Sequence, residues 1–311
     1  MRLSFRTLGV ALALLMAVGA AAIVALRLRE PARGPVSSAA RPGIPPVGPA
    51  VALADGLYLV PGGGGNTAVF ITAAGVVVVD PKYATAWPAL EAQIRALTSQ
   101  PITHVILTHA HPDHAGAVEV LPADVEVIGH LQTIRRVIDF GWLQRRGATP
   151  NVRVFADRVT LFTGADTITL VSHGPAHTDG DALVVFHAAR VLHAGDLFPD
   201  TVAPIANIEG GGDGVGLART LTAAAAGIHD VDRVITGHGT VMTWHDFTTF
   251  AGFVQMLVDY VRAEMGFRSD KNAVFRAISI PDRYSSYHLD RLFNTLDEID
   301  RSIRPRWQRI F

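Results

Sequence analysis

The segment His109-Ala110-His111-Pro112-Asp113-His114 most constrains what this chain can fold into. It crowds three imidazoles and a carboxylate into six residues directly behind the apolar run Val105-Ile106-Leu107. Such a run reads as a buried strand, and a loop leaving its end would deliver four potential ligands to one place. Were the strand to continue, His109, His111 and Asp113 would share a face. A turn after Asp113 would carry His114 to a second centre. Neutral imidazole and carboxylate are donors that divalent zinc accepts.

Three later loops repeat the arrangement, each placing a ligand-type residue beside a short apolar strand. They are Gly174 to Asp181, which holds His177, then His193-Ala194-Gly195-Asp196, and Thr236-Gly237-His238-Gly239. Glycine beside each candidate lets the backbone turn sharply and approach an ion closely. Singly, each is an ordinary turn; together behind the histidine cluster they form a constellation. The chain has no cysteine, so thiolate ligands are excluded and any metal must be held by His, Asp, Glu or water.

Together these positions resemble the metallo-β-lactamase superfamily of metallohydrolases, from about Leu57 to the His238 loop, with Asp80 as a further matching position. The resemblance implies an α/β fold, a four-layer αβ/βα sandwich with metals at one edge between facing sheets. It implies that His109, His111 and His177 hold one zinc and that Asp113, His114 and His238 hold the other, with Asp196 bridging. Asp80 would orient a ligand histidine, and Asp113 would also orient the nucleophile. Two Zn2+ per chain are expected, with iron or manganese possible. The expected activity is hydrolysis of an ester, thioester, lactone or lactam carbonyl by a hydroxide shared between the metals. Asp196 stands where dedicated β-lactamases of the superfamily have cysteine or serine, and is more like the thioesterase, lactonase and nuclease branches. Alternatives on the same residues are an iron-dependent, dioxygenase-like redox enzyme, a phosphodiesterase and a non-catalytic metal-binding module.

Outside this constellation, Arg2 and Arg6 precede an uncharged run from Thr7 to Leu26, which reads as a signal peptide or single membrane anchor over 1–29. An exported protein is expected: periplasmic, secreted or anchored to the cytoplasmic membrane through that segment. Residues 30–50 are proline-rich and read as an extended spacer, leaving 51–311 as the hydrolase domain with a helical tail. A net charge of -1 gives no electrostatic case for nucleic acid, so a small-molecule substrate is expected, and Arg301, Arg304, Arg306 and Arg309 read as a solvated helix face.

Strands are expected at 57–60, 67–71, 76–79, 105–107, 125–128, 159–162, 168–171, 183–186, 191–192 and 234–235. Helices are expected behind Trp87, between Leu131 and Phe140, over Ala218 to Ala226, and around Phe247 to Leu257. The tetraglycine 62–65 reads as a mobile hairpin tip overhanging the site, since no phosphate-loop Lys or helix follows it. The stretch Phe198 to Gly214 and the region of Trp244 are expected to line the pocket. His104 and His193 read as packed or solvated histidines that lie near the site in sequence.

Overall fold

The computed structural model describes residues 43–146, 151–265 and 270–304. Two sheets carry the fold. The first runs in chain order: β1 (Val51–Ala54), β2 (Leu57–Val60), β3 (Thr67–Thr72), β4 (Gly75–Val79), β5 (Ile102–Leu107), β6 (Glu126–His130) and β7 (Val152–Phe155). The second comprises β8 (Arg158–Leu161), β9 (Ile168–Val171), β10 (Leu183–Phe186), β11 (Val191–His193), β12 (Arg233–Ile235) and β13 (Val241–Thr243), side by side in that order.

The valine run of β4 shows why these segments stack. Successive side chains point to opposite faces. Val77 and Val79 enter the interior between the sheets, with Phe70, Ile106, Ile168 and Phe186. Val76 and Val78 point outward and are covered by Trp87, Leu90 and Ile94 of helix α1 (Trp87–Leu97). The short α2 (Pro112–Ala115) follows β5, and α3 (Leu131–Asp139) adds Ile134 and Val137 to that outer layer. On the far side, Leu183, Val185, Leu192 and Val234 of the second sheet are covered by α4 (Gly214–Gly227), α5 (Trp244–Met265) and α7 (Leu292–Ile303). The smaller α6 (Lys271–Ala277) contributes Val274 and Phe275. A strand buried on both faces needs a continuous apolar run, and the order helix, sheet, sheet, helix is the αβ/βα sandwich.

β4, β5, β6 and β7 are mutually parallel, as are β11 and β12. Their carboxyl ends therefore open at common edges, where ligand-bearing loops of open α/β sheets collect. Three strands escape the sequence patterns: β1, β7 and β13. Arg153 interrupts the apolar run of β7, where Phe155 alone is buried, and β1, β7 and β13 are all short edge strands.

Residues 43–50 pack on the fold: Gly63 N donates to Pro45 O and Gly48 N to Pro61 O, both at 2.8 Å. The segment expected as leader or anchor lies outside the described residues. Among the described residues, no helix is long and apolar enough to cross a membrane.

Candidate metal centre

The histidine loop leaves β5 as a turn, which corrects the expected shared face of His109, His111 and Asp113. Pro112 opens α2 at the position where a missing N–H costs nothing, and Ala115 N closes on His111 O at 2.8 Å. The helical turn places Asp113 and His114 beside His238, while the His114 ring stays 4.3 Å from that of His109, so the two groups adjoin.

His109, His111, His177 and Asp196 form one group of ligand atoms. The Nδ1 atom of His111 lies 3.0 Å from Nε2 of both His109 and His177. Asp113, His114 and His238 form a second. There His114 Nε2 lies 3.3 Å from His238 Nε2, and Asp113 Oδ2 lies 3.4 Å from the latter. Asp196 reaches both groups. Its Oδ2 is 3.4 Å from His177 Nε2, while its Oδ1 is 3.2 Å from His238 Nε2 and 3.3 Å from His114 Nε2.

Asp80 ends β4 in a left-handed conformation, φ 59°, that an aspartate holds only when its surroundings fix it. Its carboxylate accepts from Thr108 N at 2.8 Å and Thr108 Oγ1 at 2.6 Å, and meets His114 Nδ1 at 2.7 Å. That bond turns the Nε2 of His114 into the site. Similarly, His177 Nδ1 donates to Ile205 O at 2.8 Å, and the Asn207 amide meets His111 Nε2 at 2.7 Å. Donation from the outer nitrogen, as in His114 and His177, is how metal-binding histidines are oriented, whereas His111 Nε2 faces the amide nitrogen of Asn207.

The electrostatics agree with a cation site. Burial, reinforced by neighbouring imidazoles, pushes His111 down to about 4 and His109 well below its ordinary value. Both rings are neutral at physiological pH, the form that binds metal. Burial opposes charge on Asp196, yet His114 beside it holds the carboxyl well below the usual range. Burial likewise opposes charge on His114, which Asp196 and Asp80 together raise well above normal. The Oδ1 atom of Asp196 is buried and has no well-aligned hydrogen bond, its neighbours being His238 Nε2 and His114 Nε2 at 3.2 and 3.3 Å. A methyl added at Gly237 would sit 2.0 Å from it, so glycine keeps that lone pair open. Lone-pair nitrogens converging at 3.0 Å, with an orphaned carboxylate oxygen beside them, fit a resident divalent cation.

The tetraglycine is the clearest departure from the sequence reading. It is a fixed brace beneath the histidine loop. Gly65 N donates to Asp113 O at 3.0 Å, and Asn66 Nδ2 donates to Thr236 O and Gly239 O. Lys82, fully buried, donates its Nζ to Val60 O at 2.8 Å and Gly65 O at 2.7 Å. Burial pushes that ammonium down to about 7 against the pull of Asp80. Because the folded-state value lies below the ordinary 10.5, the unfolded chain binds more protons between those limits. Stability should then rise with pH from about 7 toward 10.5, and Lys82 should be fully destabilising below that window. Urea midpoints of wild type and K82M, compared from pH 6 to 10, check this: the gap should shift in favour of wild type as pH rises. Parallel profiles would contradict it.

A cavity of about 790 Å³ opens over the centre, lined by His111, Asp113, His177, Asp196 and His238 at its floor. As expected, Phe198 to Gly214 supplies a wall, through Pro199 to Glu209. Trp244 does not: half-buried at the start of α5, it stacks on Phe247, 5.0 Å between centroids, against the core. His288, Asp290, Arg291, Glu298 and Arg301 from the C-terminal part complete the wall; no spacing in the sequence marks them, and Arg301, expected on a solvated helix face, is among them. His104 pairs with Glu126 away from the centre, while buried His193 touches Asn66 O at 3.1 Å. Arg301 and Arg304 form ion pairs with Asp297 and Asp300; Arg306 and Arg309 lie outside the described residues.

An αβ/βα sandwich with two adjoining His/Asp groups at one edge defines a class of metal-site protein. Residues 60–238, more than half of the chain, match the metallo-beta-lactamase superfamily, and the chain belongs to that family. Among solved structures, the stereoselective inverting sec-alkylsulfatase Pisa1 from Pseudomonas sp. is similar with a TM-score of 0.69 at 15% identity, over 82% of this chain and 50% of that one. The DIM-1 metallo-beta-lactamase is similar at 0.57 and 16%, over 68% of this chain and 99% of that one. A metallo-beta-lactamase from Pontibacter korlensis gives 0.56 and 17%, over 67% and 99%. The chain thus spans about half the length of the alkylsulfatase, and these likenesses speak to the fold. No curated protein matches the sequence.

Proposed function

We propose that this protein is a dinuclear zinc hydrolase acting on an ester, thioester, lactone or lactam carbonyl of an extracytoplasmic small molecule. The observation that carries the reading is Asp196, one buried carboxylate whose two oxygens face two separate histidine groups. His109, His111 and His177 would hold one cation, Asp113, His114 and His238 the other. Two such ions supply Lewis acidity and bring the pKa of a shared water toward neutrality.

The chain's own residues do the rest. Asp113 is half-buried at the cavity floor, where its carboxylate can accept a hydrogen bond and orient an attacking water. Asp80 keeps His114 pointed inward. The wall residues Val202, Ile205 and Ile208 give the substrate an apolar surface away from the reacting bond and exclude water from it.

Dialysis against a chelator should abolish turnover, and zinc should restore it. The panel should span ester, thioester, lactone, lactam and phosphodiester bonds, with an alkyl sulfate ester added because the sulfatase likeness extends over 82% of the chain. Restored turnover of one carbonyl class supports the reading. Restoration only by iron, with oxygen consumed, would replace it by a redox reading of the same site.

A further inference from the structure

Helix α7 lies beyond the family-matched stretch, yet its polar side chains reach back to the metal centre. Thr295, Glu298 and Ser302 fall on one face of the helix. Each bonds to the backbone of the 198–214 segment, whose Ala206 lines the cavity. Thr295 Oγ1 donates to Pro204 O at 2.6 Å, Ala206 N donates to Glu298 Oε2 at 2.7 Å, and Gly214 N donates to Ser302 Oγ at 2.8 Å.

The middle bond is the one that matters for the centre. Ala206 stands between the two residues that orient ligand-type histidines. Ile205 O takes the Nδ1 proton of His177, while Asn207 N donates to His177 O at 2.7 Å and its amide meets His111 Nε2. Holding Ala206 therefore holds the outer nitrogen of His177 and, through the Asn207 amide, the position of the His111 ring. His109, His114 and His238 are oriented by other residues or none: Thr108 touches the first, Asp80 the second.

We propose that Glu298 is a positioning residue for the first metal, acting through Ala206 to fix His177 and His111, and that α7 thereby sets the affinity of one centre and not the other. This rests on the metal-centre reading above. It predicts a selective effect, which general loosening of the fold would not give.

Zinc titration of the full chain, followed by histidine side-chain NMR, reads each ring separately. In E298A the His109, His111 and His177 signals should respond only at about tenfold higher free zinc, the low end of what losing a ligand-orienting group costs. His114 and His238 should respond as in wild type. E298Q keeps an oxygen acceptor for Ala206 N and should restore the wild-type curve. T295V, nearly isosteric, removes the bond to Pro204 O and should weaken the same three rings even if E298A does not fold. Equal weakening at both groups, an unchanged curve in E298A, or failure of E298Q to rescue would each overturn the proposal. A wild-type chain that binds no zinc would defeat the metal-centre reading, and this proposal with it.

Discussion

D196A should lose nearly all turnover together with about one metal per chain. The carboxylate is the element common to the two histidine groups: Oδ2 faces His177, Oδ1 faces His114 and His238. Removing it takes away the shared anion that would balance the two proposed cations and leaves His114, which Asp196 and Asp80 together raise, with Asp80 alone. Losing several kcal/mol of charge stabilisation corresponds to a fall on the order of 10³ in kcat/KM. Metal analysis and initial rates on the same preparation check both halves. Near-wild-type activity in D196A would mean that the two groups do not act as one centre.

G65A should break the brace at the point where it meets the metal centre. The added carbon would lie 2.2 Å from Cε1 and 2.4 Å from Nε2 of His114. That ring is fully buried and tied to Asp80 at 2.7 Å, so it has nowhere to retreat. The loop between β2 and β3 must move instead, at the expense of the bonds from Gly65 N to Asp113 O and from Lys82 Nζ to Gly65 O. Overpacking of this kind costs about 1–3 kcal/mol, and each kcal/mol lowers Tm by roughly 2–4 °C in a domain of 150–250 residues. Zinc binding at Asp113, His114 and His238 should weaken in parallel. G227A is the control: nothing lies within 4 Å of its added methyl, and its melting curve should match wild type. A G65A protein that melts and binds zinc like G227A would refute the brace.

Most of the strands that read correctly are buried on both faces, the edge strand β8 being the exposed exception. Val76 to Val79 and Leu183 to Phe186 must be apolar throughout because cores press on them from either side. Ligand candidates were legible for a different reason: His, Asp and Gly clustered just past such strands have few other uses. What stayed hidden depends on approach between distant segments. A run of four glycines signals freedom when read alone, whereas here Gly65 is glycine because His114 occupies the space its side chain would need. Lys82 looks like a surface residue until the fold buries it between two carbonyls. The helix pattern of α7 says nothing of Glu298 reaching Ala206, 92 residues away in the chain.

The most direct test of the account is the metal content of the purified full chain, measured by mass spectrometry alongside carbonyl-ester, thioester and lactone turnover. Two zinc ions per chain, with activity that follows zinc occupancy, is the predicted result. A single iron with no hydrolysis, or hydrolysis undiminished after all metal is stripped, would contradict it.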